Sequence, residues 1–286
     1  MSQVVRFTPT PQVDTLIDLA LSEDIGCGDA TSDALIPIGA TAKMELQCRE
    51  ELVLCGRPLV MRVIQRFGPT HVQVDWAAED GQKLAPGTVI GTMRGLLSEM
   101  LILERTLLNF LQRMSGVATL TRRYVEAIDG TNARLVDTRK TLPGYRTLDK
   151  YATRIGGATN HRSSLDGGVL IKDNHLRAAG GVAGAIEAAR RHASHALRIE
   201  VEVESLEGLR AAIDAGADVI MLDNFGPAQV RDAVALAEGR AILEASGGIV
   251  LTNVRQFAET GIDLIAIGAL THSAHAVDIA AEVVYD

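Results

Sequence analysis

Apolar positions along the chain change their period twice. Val13, Leu16, Ile17, Ala20 and Leu21 fall at i, i+3, i+4 spacing and predict an amphipathic helix over residues 12–25, which Gly26, Gly28 and Asp29 break. From about residue 41 to residue 94 the pattern shortens into extended runs: Ala42–Cys48, Leu52–Cys55, Val72–Trp76 and Val89–Met93. Gly-Pro, Glu-Asp-Gly and Ala-Pro-Gly punctuate them. A helical stretch, Pro58–Phe67, interrupts the runs, so this part reads as α+β with a small antiparallel sheet. A long helix follows over residues 96–115, with Leu97, Met100, Leu101, Leu107, Leu108 and Leu111 as its stripe. Glu104 falls inside that stripe and Arg105 at its edge.

After residue 130 strand-like and helical runs alternate. The strand runs are Arg134–Thr138, Gly168–Lys172, Arg198–Glu204, Asp218–Asp223, Ala241–Ser246 and Leu264–Gly268. Val182–Ala193, Leu206–Ala215, Pro227–Ala237 and Val254–Glu259 read as helices between them. Strand alternating with helix implies right-handed βαβ units and a parallel sheet, and about six of them suggest an open α/β barrel. A doubly wound open sheet is the other arrangement compatible with the pattern.

Composition narrows the function classes. Apolar residues are 47% and charged residues 22%, which excludes a disordered chain. Aromatics are only 3%, so Ala, Val, Ile and Leu must fill the interior, as suits a helix-coated parallel sheet. A net charge of −8 argues against nucleic acid as partner. Cys27, Cys48 and Cys55 are odd in number and lack C-x-x-C spacing, so a reducing cytosol is expected rather than a disulfide or thiolate-zinc framework. No secretory pattern opens the sequence and no apolar run nears the ~18 residues of a membrane span, so a cytoplasmic protein without a membrane partner is expected.

Every strand run of the second half ends in chemistry. The ends are Asp137-Thr138-Arg139-Lys140, Lys172-Asp173-Asn174-His175, Glu200 with Glu202 and Glu204, Asp223-Asn224, Ser246-Gly247-Gly248, and Gly268-Ala269. Parallel α/β folds build their sites at these carboxyl ends. Glu200, Glu202 and Glu204 alternate with Val201 and Val203 and so share one face, at about 6.6 Å spacing. Glu200 and Glu204 are expected to pair with structural arginines, leaving Glu202 to face ligand. Arg139, Lys140, Lys172 and the loop residues His161 and Arg162 exceed what those carboxylates need, and the surplus predicts an anionic ligand. Ser246-Gly247-Gly248 and Gly268 offer bare backbone N–H groups for a phosphate, with the following helix N-terminus favouring the anion. Together these groups fit transfer of a phosphorylated sugar to a small planar acid.

The same residues carry a resemblance. Glu104-Arg105-Thr106 with Leu108-Asn109-Phe110, Ser115-Gly116, Asp137-Thr138-Arg139-Lys140-Thr141 and Asn160-His161-Arg162 resemble the quinolinate phosphoribosyltransferases. So do Leu170-Ile171-Lys172-Asp173-Asn174-His175, Glu200-Val201-Glu202, Met221-Leu222-Asp223-Asn224, Ala245-Ser246-Gly247-Gly248 and Ile267-Gly268-Ala269-Leu270-Thr271. The early Glu23-Asp24-Ile25-Gly26 fits too, so the likeness runs in order from residue 20 to 275. The chain departs from the family's usual pattern at Ser164 and Gly167, with the spacing kept.

The resemblance implies an N-terminal α+β sandwich domain over 1–115, joined by the tail 273–286, and an open α/β barrel over 116–272. It implies union of quinolinate with phosphoribosyl pyrophosphate to give nicotinate mononucleotide, pyrophosphate and CO₂, with Mg²⁺, in NAD biosynthesis. It implies a homo-oligomer, at least a dimer, with sites shared between subunits. Carried over by motif, Arg139, His161 and Arg162 hold the quinolinate carboxylates, and Arg105 reaches that pocket from the partner subunit. Lys140 and Lys172 serve the quinolinate and pyrophosphate region, and Glu202 and Asp223 the ribose and metal. These four are the catalytic set. Ser246, Gly247, Gly248 and Gly268 cradle the 5′-phosphate, and Thr138, Ala269 and His272 complete the substrate contacts. A Schiff-base aldolase using Lys140 or Lys172, or a non-catalytic anion-binding module, are the readings from other classes.

Overall fold

The structure is a computed structural model, and it describes residues 5–284. In chain order the elements are α1 (Pro11–Ile25), α2 (Ala30–Leu35), β1 (Thr41–Cys48), β2 (Leu52–Val53), α3 (Arg57–Phe67), β3 (Gln73–Trp76), β4 (Lys83–Leu84), β5 (Val89–Leu96) and α4 (Leu97–Ala127). Then come β6 (Arg134–Val136), α5 (Arg146–Gly156), β7 (Val169–Ile171), α6 (Asp173–Ala178), α7 (Val182–His192), β8 (Ile199–Val203), α8 (Leu206–Asp214) and β9 (Val219–Asp223). The chain closes with α9 (Pro227–Ala237), β10 (Ile242–Ser246), α10 (Val254–Ala258), β11 (Leu264–Ala266), α11 (Ala269–His272) and β12 (Ile279–Val284).

These elements fall into two compact units. The first takes the residues up to Arg122, Thr141–Gly157 and the chain from Thr271 onward. Its sheet has the order β12-β1-β5-β3 and is antiparallel throughout. The C-terminal strand β12 pairs with β1 from Lys43↔Val284 to Cys48↔Ile279. Its core gathers Ile17, Met44, Leu59, Ile90, Leu103 and Leu111, all fully buried. Period-2 and period-3.6 patterning put these side chains inward because each element has a single dry face.

The second unit, Arg123–Lys140 with Ala158–Leu270, holds a six-stranded parallel sheet in the order β6-β11-β10-β9-β8-β7. β6 and β7 are its two edges, so the barrel is open between them. Val201, Ile220, Leu222, Leu209 and Val230 are buried where strands meet helices.

Two elements differ from the sequence expectation for physical reasons. The helix expected to end at residue 115 continues to Ala127 as α4. Ser115 and Gly116 look like breakers, yet both serve close packing. The Ser115 hydroxyl accepts from Cys55 N–H at 3.0 Å and donates to Cys55 O at 3.2 Å, and a Cβ on Gly116 would collide with the His275 carbonyl. The segment Thr141–Gly157, expected within the barrel region, carries α5 and packs in the first unit. Its buried Asp149, 3.2 Å from the Arg113 guanidinium, and buried Lys150 and Thr153 hide the apolar period that would announce a helix.

Candidate functional site

All six strands of the second unit run parallel, so their carboxyl ends open on one edge. A cavity of about 720 Å³ lies there, a size typical of small-molecule sites. Thr138, Arg139 and Lys140 reach it beyond β6, and His161 and Arg162 from the connection that precedes β7. Lys172 follows β7, Glu202 sits on β8, Asp223 ends β9, and Ser246, Gly247 and Gly248 close β10. Residues scattered over more than a hundred positions therefore line one space.

Four expected residues fall outside that lining. Gly268 and Ala269 follow β11 in the second unit. Arg105 is exposed on α4, and His272 is exposed with Nδ1 2.7 Å from the Ser273 hydroxyl, both in the first unit. Leu170, Met221 and Asn224, named above only within motifs and given no role, also line the cavity, as do Ala266 and Glu244, which were not named. The apolar three were invisible because a ligand-facing Leu or Met has the same pattern as a core one.

The acidic side is set by strands β8 and β9. Glu202 Oε2 lies 2.6 Å from Lys172 Nζ, with the Glu202 side chain 13% exposed. Asp223 has its carboxyl held above the usual range, first by burial, then by the Glu202 charge, while Lys172 and Lys140 oppose the shift. Two hard oxygen donors in one cavity suit a Mg²⁺ ion.

The glycine turn after β10 is shaped for close approach. Gly247 and Gly248 have φ of 93° and 62°, values that L side chains resist. Asn224 N–H donates to Ser246 O at 2.8 Å, tying the neighbouring strand ends together, and Asn224 Nδ2 donates to Asp223 Oδ2 at 2.8 Å within its own strand end. α10 begins only at Val254, so the backbone of this turn, rather than a helix end directly behind it, faces the cavity. A Cβ at Gly247 would collide with the Asn224 side chain. Gly247→Ala is therefore expected to cut kcat/KM for the phosphate-bearing substrate about tenfold or more, as steady-state kinetics would show.

The cationic side depends on a buried anchor. Asp137, fully buried, accepts His161 N–H at 2.8 Å through Oδ1 and Asn160 Nδ2 at 2.7 Å through Oδ2. Arg162 Nη1 donates to Gly168 O at 2.7 Å. Its guanidinium pKa is drawn below the ordinary value by burial and then by the Arg139 charge, with Glu200 opposing. Two guanidinium groups thus share a partly dry space, the arrangement that a dianion relieves.

Glu200 corrects the sequence expectation of an arginine partner. It instead meets His161, with Oε2 3.1 Å from Nε2, and Glu244 Oε1 lies 3.8 Å from the same nitrogen. Glu204 is exposed and in no ion pair among the described residues. Glu244, only 1% exposed, has its carboxyl pushed up to about 8 by burial, with the Glu200 charge adding and His161 opposing. Between about pH 4.5 and 8 the folded protein keeps a proton that the unfolded chain releases, so this group's contribution to stability falls as pH rises. Melting curves from pH 5 to 8 should show the wild type losing a few degrees relative to Glu244→Gln, which has no proton to lose.

An open parallel barrel whose mouth joins guanidinium, ammonium, carboxylate and bare backbone groups defines a protein equipped to bind anionic small molecules. Comparisons with known proteins agree. The model of the quinolinate phosphoribosyl transferase C-terminal domain matches residues 117–282, and that of the N-terminal domain matches residues 29–115. The chain belongs to the quinolinate phosphoribosyltransferase family. It is 43% identical over 265 residues to the nicotinate-nucleotide pyrophosphorylase (carboxylating) of Mycobacterium leprae, covering 91% of this chain and 93% of that protein. It is 41% identical over 272 residues to a Bacillus subtilis protein described as a probable enzyme of the same name, covering 95% and 93%. The solved nicotinate-nucleotide pyrophosphorylase of Francisella tularensis superposes with a TM-score of 0.93 at 38% identity, covering 98% of this chain and 99% of that one.

Proposed function

We infer that this chain transfers the phosphoribosyl group of phosphoribosyl pyrophosphate to quinolinate, with loss of CO₂, giving nicotinate mononucleotide and pyrophosphate for NAD biosynthesis. The observation that carries the reading is the shared mouth of Arg139, Arg162, Lys172, Glu202 and Asp223 in a family member. Arg139 and Arg162 take the carboxylates of the ring through paired N–H contacts. The glycine turn of Ser246, Gly247 and Gly248 takes the 5′-phosphate. The pyridine nitrogen bears no proton, so the attack on the anomeric carbon needs orientation more than a general base. Positive charge developing on the ribose is stabilised by Glu202 and Asp223, fixed at the strand ends. Lys140 and Lys172 offset charge on the departing pyrophosphate. Glu202 and Asp223 would hold Mg²⁺, directly or through water, and when bound it supplies further charge neutralisation there. After transfer, the bond from the ring to the carboxylate beside the alkylated nitrogen breaks and CO₂ leaves. The electron pair stays on the ring carbon next to the cationic nitrogen that stabilises it, and that carbon takes up a proton from water.

Arg105, exposed on α4, suits a role delivered to the mouth of a second copy in a homo-oligomer. Mixing Arg105→Ala with Lys172→Ala protein should then restore activity through hybrid dimers. No recovery after verified subunit exchange would place each site within one subunit. Among the described residues no helix is long and apolar enough to cross a membrane. The deciding experiment is turnover of quinolinate with phosphoribosyl pyrophosphate and Mg²⁺, following nicotinate mononucleotide. Activity with nicotinate in place of quinolinate would overturn the dicarboxylate assignment, and borohydride trapping of a carbonyl substrate would favour the aldolase.

A further inference from the structure

Beneath the mouth lies a second cavity of about 170 Å³, lined in part by Val169, Val219 and Leu264, the first residues of β7, β9 and β11. His161, Arg162 and Glu244 line both cavities, so they form the partition between them. The loop carrying the cations therefore lies over a cavity rather than over close-packed side chains, and its hydrogen bonds must hold it in place. Asp137 grips its backbone. Its ring is gripped by Glu200, 7% exposed, and approached by Glu244. His161, Glu200 and Glu244 bring one polar atom each within 4.8 Å of one another.

We propose that Glu244, acting with Glu200, is a positioning residue for quinolinate: the two carboxyl groups fix one tautomer of His161 and, through it, the aim of Arg162. The inference deepens the function proposed above and rests on it.

The hydrogen bonds state which tautomer. Arg162 N–H donates to His161 Nδ1 at 2.7 Å, so that nitrogen keeps its lone pair and the ring proton sits on Nε2. Nε2–H then faces Glu200 Oε2. A metal ion in this cluster would need the Nε2 lone pair, which moves the proton to Nδ1, where Arg162 N–H already points. Two donors would then oppose each other, so the cluster is a hydrogen-bonded support and not an ion site. Glu200 Oε1 and Glu244 Oε1 are both buried and have no hydrogen-bond partner, and burial favours a proton kept on Glu244. A neutral Glu244 leaves Glu200 as the acceptor for His161. With both ring nitrogens committed, His161 serves the substrate through Arg162 rather than as a second cation.

The test uses the full-length enzyme, with quinolinate and phosphoribosyl pyrophosphate varied separately. Glu244→Leu should raise KM for quinolinate at least about tenfold while KM for phosphoribosyl pyrophosphate stays within about twofold. Glu244→Gln keeps a donor in the same place and should stay within about threefold of wild type for both. If Glu244→Leu does not fold, Glu244→Asp, which draws the carboxyl back from His161, should raise the quinolinate KM at least about threefold with an unchanged melting point. Parallel rises for both substrates, unchanged quinolinate KM, or equal damage from Gln and Leu would each overturn the proposal. Nitrogen-15 shifts of the His161 ring should report Nε2–H in the wild type and a tautomer mixture in the Leu (or Asp) variant. That readout needs no substrate, so an inactive wild type would sink the proposed function while leaving this support open to direct confirmation or refutation.

Discussion

Replacing Glu202 by Gln is expected to lower kcat by about 10²- to 10³-fold while moving the thermal midpoint by no more than a few degrees. The two effects separate because Glu202 does little for the fold. Its ion pair with Lys172 is 2.6 Å long, but the lysine side chain is 49% exposed, so solvent screens the attraction. Its charge also adds to the burial that holds Asp223 above the usual carboxylate range, a repulsion the amide would remove. In the reaction the balance reverses. A carboxylate already fixed on a strand next to the ribose stabilises developing positive charge without any reorganisation, and an isosteric amide presents only a dipole. Steady-state kinetics with a parallel melting curve read both quantities. Wild-type turnover in the variant would remove Glu202 from the mechanism.

The difference between what strand ends and packing demand explains how far the sequence could be read. Strand runs in the second half were legible because parallel strands buried on both faces are continuous apolar segments, and polar residues punctuate their ends. Arg139, Lys172 and Asp223 could be placed from that rule, since a βα unit delivers what ends or follows the strand to one rim, and Glu202, inside β8, from its alternation with Val201 and Val203. Glu244 could not. It lies inside β10 and carries a charge type that pattern reading assigns to the surface, although it is almost fully buried. Its meaning depends on His161 and Glu200, which arrive from other elements, and no spacing along the chain encodes that meeting. α5 was hidden for the same reason, since Asp149 and Lys150 break its apolar stripe and are buried in the fold. Cys55–Ser115 and Gly116–His275 packing, likewise, is a matter of tertiary neighbours and not of helix propensity.

The second large effect concerns Arg139. Exchange for Lys keeps the positive charge but should weaken quinolinate binding by about 2–3 kcal/mol, roughly 30- to 150-fold in Kd. A planar guanidinium offers two parallel N–H groups to a carboxylate, whereas an ammonium is a point charge that cannot hold the ring in plane. Position adds to this. Beyond burial, Arg139 stands close enough to Arg162 to draw the latter's pKa down, so the mouth concentrates positive charge in a partly buried space. A ligand with two carboxylates relieves both guanidinium groups together, and a lysine that reaches only one oxygen forfeits much of that relief. Affinity for the phosphate-bearing substrate should change by less than about threefold, because the glycine turn after β10 lies on a different strand end from the loop after β6. Isothermal titration with each substrate separately distinguishes the outcomes. Unchanged quinolinate affinity would remove Arg139 from the carboxylate grip, and equal losses for both substrates would mean that the substitution disturbs the mouth as a whole.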